Sequence, residues 1–395
     1  MTQITEYNPF VPAVKEDPYP YYAWLRERHP VYYNDKLGFY VLSRYADVEA
    51  AARTTDVFSS AQGIGPERAP VAMMIAKDPP DHSRLRKLVS KAFTPKMVEQ
   101  LAPRVQEIVD ELLDAALPQG AFDLVQDFAS PLPVIMIAEM LGVEPERREE
   151  FKRWSDAVIH LTAGGAQYGD RATYLQSWQE FKAYVSQIIE ARRRSPRNDL
   201  ISALVQAQDE RDALTLNEIL NFCFLLLVAG NETTTNLITN GALALYTHEE
   251  QRQKLRGQPQ LIQSAIEEIL RYDGPIQGVF RTATRDVEVR GTTIAAQSKV
   301  LLLWASANRD PEVFPDPDHF DIERTPNDHM AFGRGIHFCL GAPLARLEAR
   351  IATQTILRRT KVTRPDPEGV RERVDNALFR GLKRFPVVVE PANAA

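Results

Sequence analysis

The stretch "FGRGIHFCLG", Phe332 to Gly341, carries the strongest signal in the sequence. Three glycines, Gly333, Gly335 and Gly341, surround a single cysteine, Cys339, and an apolar helical pattern begins directly after it. Glycine permits tight backbone conformations and a close approach of the main chain to a bound group. A thiolate that precedes a helix is stabilised by free N–H groups and by the helix dipole. The pattern indicates a thiolate ligand, whereas an isolated free cysteine is more often a small apolar core residue.

The composition of the whole chain excludes several classes of protein. The chain has 395 residues, 44% of them hydrophobic, and 47 basic against 53 acidic residues give a net charge of −6. This balance disfavours nucleic-acid binding, which needs excess positive charge. Two cysteines, Cys223 and Cys339, are too few for a disulfide framework or a CxxC zinc site. Without a signal peptide or an apolar run of roughly 20 residues, we expect a cytoplasmic protein with no membrane anchor.

The periodicity predicts a mainly α fold with a small β subdomain. We expect one domain over residues 1–395, with a helical core at about 81–274 and β-rich parts at about 31–44 and 278–304. Residues 61–80 have no period and predict a long loop. The predicted helices cover residues 81–92, 96–116, 131–140, 146–163, 171–195, 199–210 and 215–248. The sequence "TLNE" is a capping box that begins the last of them, and Gly164, Gly165 and Gly169 suggest a mobile connection.

The order of Phe332, the glycines, His337 and Cys339 in this loop resembles the haem-binding loop of the cytochrome P450 family. The chain resembles a soluble bacterial member of that family over essentially its whole length. The resemblance implies the family fold, with haem b (iron protoporphyrin IX) buried between a long distal helix and the helix after the cysteine. It makes Cys339 the axial ligand of the haem iron, a thiolate that favours O–O cleavage.

The resemblance also implies partners for the two haem carboxylates. His82 and Arg86 of "DPPDHSRLRKLV" are four residues apart and share one helix face. Arg281 and His337 complete the cationic set, although each residue alone would more often be a solvated surface group. Imidazole ligation of iron by His337 is the rival interpretation. Buried carboxylates need such partners.

Three further residues match a structural triad of the family. Glu268 and Arg271 form an ExxR pattern, which on an exposed helix contributes only about 0.2–0.5 kcal/mol. Arg324 of "FDIER" is expected to join them. The implied role is folding and support of the haem loop.

The motif "AGNETT", Ala229 to Thr234, interrupts the apolar run of the longest helix. Gly230 lets the backbone approach a ligand, and a threonine hydroxyl can compete for the carbonyl one turn earlier and open the helix locally. By resemblance, Thr233 hydrogen-bonds the activated oxygen and Glu232 relays protons from solvent. Alternatively, these side chains only mark a solvent-exposed helix turn.

Apolar residues from several segments are expected to line a substrate pocket. The set comprises Met73, Met74, Leu226, Ala229, Leu237, Ile276, Val279, Phe280 and Phe379. A helix as apolar as the one that holds Leu226 is, however, usually plain core. Cys223 lies in the same helix and is expected to be inert packing.

These implications predict a monomeric haem-thiolate monooxygenase that inserts one atom of O2 into a lipophilic small molecule. Hydroxylation is the expected reaction, with epoxidation or dealkylation as variants. Without a reductase extension, NAD(P)H electrons would arrive through a ferredoxin and its reductase, or through a flavodoxin. A basic docking face is expected at Lys87, Lys91, Arg334, Arg346 and Arg350. The alternatives are an H2O2-dependent peroxygenase and a non-catalytic haem-binding sensor, and the Glu232–Thr233 pair argues against both.

Overall fold

The computed structural model describes residues 4–69, 71–147, 149–154, 171–209 and 212–392. The chain forms two compact units. The first comprises Met1–Ser83, Glu267–Cys339 and Asp375–Arg380, and the second comprises Arg84–Ile266, Leu340–Val374 and Gly381–Ala395. The mainly α fold with small sheets is confirmed, while the organisation of residues 1–395 as one domain stays a prediction.

A five-stranded sheet forms the centre of the first unit. Its strands, in order across the sheet, are Val31–Asn34, Phe39–Leu42, Lys299–Leu302, Val279–Ala283 and Phe58–Ser59. Apolar clusters cover both faces, with Leu42 and Leu302 in one and Val41 and Leu301 in the other. Burial on both faces explains why "VLLL", Val300 to Leu303, is a continuous apolar run instead of an alternating one.

Short helices and one hairpin surround this sheet. The helices are Pro12–Glu16, Tyr19–Arg28, Tyr45–Arg53 and Trp304–Ala307, and the hairpin pairs Val287–Val289 with Thr292–Ile294. The helix Tyr45–Arg53 was not predicted because Arg44 provides no side-chain cap. Its first N–H instead donates to Asp310 Oδ2 at 2.8 Å, a partner far away in the sequence.

The second unit holds most of the helices. They are Pro95–Gln100, Ala102–Ala116, Pro131–Met140, Arg171–Arg194, Leu200–Gln206, Leu216–Thr247, Glu249–Gly257 and Ala342–Arg359, while Asp81–Ala92 and Ile262–Asp273 contain residues of both units. The helix predicted at 96–116 is interrupted at Leu101, because Pro103 lacks the N–H that a continuous helix would need. None of the described helices is long and apolar enough to cross a membrane.

The second unit also contains short strands that the sequence did not predict. A three-stranded sheet pairs Thr360–Pro365, Pro386–Pro391 and Ala121–Asp123, and two hairpins pair Gln208–Asp209 with Asp212–Ala213 and Glu372–Arg373 with Leu382–Arg384. The C-terminal strands escaped prediction because their partners are distant in sequence. Most of the predicted helix 146–163, and the glycine-rich connection after it, lie outside the described residues.

Candidate functional site

The cysteine loop closes on itself through main-chain hydrogen bonds. The N–H of half-buried Cys339 donates to the carbonyl of Phe332 at 2.9 Å. Gly333 and Gly335 adopt φ values of +72° and +68°, the left-handed region that glycine tolerates. A Cβ on Gly335 would also lie 2.8 Å from the carbonyl oxygen of Ala52. Both glycines are therefore needed for the loop that holds the cysteine.

A helix starts immediately after this loop. The helix Ala342–Arg359 has Gly341 as its N-cap residue. Gly341 has no side chain that could accept hydrogen bonds from the free N–H groups of the first turn. Uncapped N–H groups at a helix start favour negative charge nearby. A thiolate at Cys339, in the loop that precedes this helix, stays a prediction.

Two histidines predicted to contact haem carboxylates are brought together in the first unit. The rings of His82 and His337 lie 4.2 Å apart, at an angle of 52°. His82 is buried, and Arg86 follows one turn later on the helix Asp81–Ala92, half-buried. The Oγ of Ser60, a residue that the sequence did not single out, lies 3.2 Å from His337 Nε2.

Arg281 is a buried cation in the same unit. Its Nη1 donates to the carbonyl of Phe280 at 2.9 Å, while Nε has no hydrogen-bond partner in the part of the chain that the structure describes. Burial lowers the pKa of Arg281 to about 10, and Asp78 offsets only part of this shift. Such a guanidinium requires an anionic partner.

The surroundings of Arg281 are rich in positive charge. Burial, together with Arg68 and Arg281, lowers the pKa of Lys299 to about 8. Asp78 is already bonded by Ser60 N–H at 2.9 Å. Two carboxylates would balance the excess cations, and the thiol of the adjoining loop is the soft ligand that haem iron takes. The residues present fit haem.

The predicted structural triad assembles in the first unit. Arg271 donates to Glu268 through Nε and Nη2 at 2.7 and 2.8 Å, and Arg324 Nε donates to Glu268 Oε1 at 3.2 Å. Glu268 and Arg271 are fully buried. The remaining donors of Arg271 reach the carbonyls of Asn308, Pro317 and His319, so the triad ties a helix to the segment before the cysteine loop.

The long helix Leu216–Thr247 carries the interrupted motif in the second unit. Thr215 forms the predicted capping box with Glu218. Thr233 Oγ1 donates to the carbonyl of Ala229 at 2.6 Å, the competing bond expected from the sequence. The helix nevertheless continues unbroken through the motif, so the expected local opening is not seen.

Glu232 and Gly230 have distinct surroundings. Burial raises the pKa of Glu232 to about 7, and Asn236 counters part of this rise. Its Oε1 has no hydrogen-bond partner among the described residues. A Cβ on Gly230 would lie 2.5 Å from Cδ1 of Ile137, so this glycine admits a packed helix side chain. The backbone approach to a ligand predicted at Gly230 stays a prediction.

The predicted pocket residues differ in exposure. Phe280 is fully buried and packs edge-to-face on Phe39, with ring centroids 5.0 Å apart, so it is a core residue of the first unit. Met74 and Leu237 are also buried, and Ala229 is exposed. The half-buried members are Met73, Leu226, Ile276, Val279 and Phe379.

The basic residues predicted to form a docking face differ in their solvent exposure. Lys87 and Lys91 are exposed, while Arg346 and Arg350 are half-buried. Arg334 bonds Asp328 and the Tyr45 hydroxyl, and its side chain is only 15% exposed. Arg334 therefore forms its ion pair within the first unit, with Asp328.

Comparison with known proteins agrees with this geometry. The family model described as Cytochrome P450 matches residues 14–382. The steroid C26-monooxygenase of Mycobacterium tuberculosis is 38% identical, over 94% of this chain and 93% of the relative. The vitamin D(3) 25-hydroxylase of Pseudonocardia autotrophica is 40% identical, over 96% and 95%. The solved structure of CYP109Q5 from Chondromyces apiculatus superposes with a TM-score of 0.90 at 41% identity, covering 98% of each chain.

Proposed function

This chain belongs to the cytochrome P450 family, and from that premise we propose that it inserts one atom of O2 into a lipophilic small molecule. Members of the family bind haem, and its characterised relatives are monooxygenases, so the chain is an oxidoreductase. In the proposed reaction, two electrons and two protons reduce the second oxygen atom to water. Hydroxylation is the favoured outcome. The observation that supports it most is the Cys339 loop, whose His337 ring lies 4.2 Å from that of the buried His82, in the unit that also buries Arg281.

Haem b is the proposed cofactor. A thiol would bind its iron, and cationic side chains would pair with its two carboxylates. Cys339, between Phe332 and Gly341 of its loop, would hold the haem iron through its thiolate. His82, Arg86, Arg281 and His337 would pair with the carboxylates, in keeping with the burial of His82 and Arg281. When bound, haem supplies the iron at which O2 is activated.

Glu232 and Thr233 are the proposed proton-handling residues. A carboxyl with a pKa of about 7 exchanges protons readily at neutral pH, as a general acid or base requires. The Thr233 hydroxyl donates to a helix carbonyl and can also accept a hydrogen bond, so it can order a proton donor. We propose that the two residues act together in delivering protons, although adjacent helix positions do not face each other.

NAD(P)H electrons are proposed to arrive through a ferredoxin and its reductase, or through a flavodoxin. The exposed Lys87 and Lys91 are proposed to attract such acidic proteins. For the substrate, the names of two relatives suggest a first panel of sterols and secosteroids.

Labelled oxygen tests this proposal. The holoprotein is incubated with the sterol panel, NADPH, a surrogate ferredoxin and its reductase under isotopically labelled O2, with catalase present. We expect one labelled atom in each product molecule. Product without label would contradict the proposal, as would product that catalase abolishes and H2O2 alone restores, because either result indicates another source of oxygen.

A further inference from the structure

Lys299 is a buried lysine at the start of a core strand. Only 6% of its surface is exposed, and it opens the strand Lys299–Leu302 in the middle of the five-stranded sheet. Its Nζ donates to the carbonyl of Gln62 at 3.2 Å and to that of Gly63 at 3.1 Å. Burial of a lysine ammonium is costly unless the group is hydrogen-bonded, and the two carbonyl oxygens supply hydrogen bonds for it.

Those two carbonyls belong to a tightly closed loop. The Ala69 N–H donates to the Gln62 carbonyl at 3.2 Å. Gly63 has φ +86°, and a Cβ on it would lie 2.7 Å from the Ala69 carbonyl oxygen. The Gly63 N–H donates to the carbonyl of Ser60 at 2.9 Å, which links the loop to Ser60. Lys299 therefore holds the loop through the residues that follow Ser60.

Ser60 in turn contacts a predicted haem-binding residue. It is fully buried, its N–H donates to Asp78 Oδ1 at 2.9 Å, and its Oγ lies 3.2 Å from His337 Nε2. This contact engages the Nε2 atom of the His337 ring. The Ser60 hydroxyl thereby defines the orientation of this imidazole.

We propose that Lys299 is a positioning residue, which holds the loop at Gln62 and Gly63 so that Ser60 fixes the ring of His337 for a haem carboxylate. The inference rests on the proposed function in that it requires haem to bind. It adds a path of three contacts, from Lys299 through the loop to Ser60 and then to His337. The positive charges of Arg68 and Arg281 act on the Lys299 ammonium itself.

A set of matched variants of the holoprotein tests this path. Lys299→Met removes the donor with little change in length, and Ser60→Ala removes the hydroxyl. Lys299→Arg and Ser60→Thr keep these groups. Lys36→Met removes an exposed lysine of the same unit, which pairs with Glu6 at the surface, and serves as the control for charge loss. The readouts are the rate of haem transfer to excess apomyoglobin and the propionate bending band in resonance Raman spectra.

We expect Lys299→Met and Ser60→Ala each to speed haem loss by about two- to tenfold, the range that one lost hydrogen bond gives. Both should shift the propionate band in the same direction, and the double variant should lose haem no faster than the faster single variant. Lys299→Arg, Ser60→Thr and Lys36→Met should match the wild type.

Additive effects in the double variant would overturn the inference, as would a Lys299→Met protein with lowered thermal stability but unchanged haem loss and Raman band. If Lys299→Met does not fold, equal haem loss by Ser60→Ala and Ser60→Thr would overturn it instead. A wild-type protein without a thiolate-haem spectrum would contradict the proposed function. A wild-type protein with that spectrum and unshifted variants would contradict only the positioning path.

Discussion

The hydroxyl of Thr233 donates to the carbonyl oxygen of Ala229, 2.6 Å away and one turn earlier in the long helix. The bond occupies the hydroxyl proton and leaves the oxygen lone pairs able to accept from a proton donor. It stabilises one orientation of the side chain that is proposed to guide protons to oxygen.

Replacement of this hydroxyl should uncouple electron use from product. We expect Thr233→Ala to consume NADPH at a similar rate, form less product and release more H2O2, because protons no longer reach the correct oxygen. Thr247→Ala is the matched control, since Thr247 makes the same kind of bond, to Leu243 at 2.9 Å, at the far end of the helix. Unchanged product per NADPH in Thr233→Ala would exclude the proposed role.

The carboxyl of Glu232 should govern the pH dependence of turnover. Because burial raises its pKa to about 7, the proton-donating form is depleted as pH rises through 7. We expect kcat to decline above that pH. Glu232→Gln should lower kcat by about 100-fold or more, the low end of general acid–base contributions, and should lose the inflection. If the Glu232→Gln enzyme keeps the inflection in the pH dependence of kcat, that pKa belongs to another group.

A second buried carboxyl should make stability depend on pH. Glu348 is buried, its two oxygens have no hydrogen-bond partner among the described residues, and burial raises its pKa to about 8. An unfolded glutamate ionises near about 4.3. Between these values only the folded state keeps the proton, so the free energy of unfolding falls as pH rises, by about 1.4 kcal/mol per unit.

Glu348→Gln should remove this dependence because a neutral amide carries no titrating proton. The urea midpoint, measured from pH 5 to about 9, should fall less steeply with pH than in the wild type. Glu368→Gln, which changes an exposed carboxyl of the same unit, should keep the wild-type slope. Equal slopes for the wild type and Glu348→Gln would show that Glu348 does not hold a proton in the folded protein.

The buried triad should matter far more than a surface ion pair. Arg271→Ala leaves Glu268 as a buried charge without its bidentate partner, and we expect a loss of about 3–5 kcal/mol in unfolding free energy, together with low haem content. Arg285→Ala breaks an exposed pair with Asp56 and should cost at most about 1 kcal/mol. Comparable losses in urea titrations of the two variants would refute this ranking.

Local patterns explain how much of this protein could be predicted from its sequence. The capping box at Thr215 and the pairing of Glu268 with Arg271 depend on residues three positions apart, so they were visible in the sequence. The loop around Cys339 was equally visible because its glycines mark its shape.

Other features depend on contacts between distant parts of the chain. The parallel pairing of Phe39 with Lys299 and the proximity of Ser60 to His337 join segments that no local pattern relates. The packing of Gly230 against Ile137 of another helix also joins distant segments. Lys299 and its partners, Gln62 and Gly63, are likewise far apart in the sequence, and no local pattern relates them.

Cys339 is proposed to bind haem iron as a thiolate, and the spectrum of the reduced protein with carbon monoxide distinguishes this ligand from an imidazole. We predict the red-shifted Soret band of thiolate-ligated haem in the wild type and its absence in Cys339→Ser, while Cys223→Ser, which changes a buried packing residue, keeps it. A wild-type protein whose reduced, carbon monoxide-treated spectrum is that of imidazole-ligated haem, or a Cys339→Ser protein that retains the red-shifted band, would contradict the account.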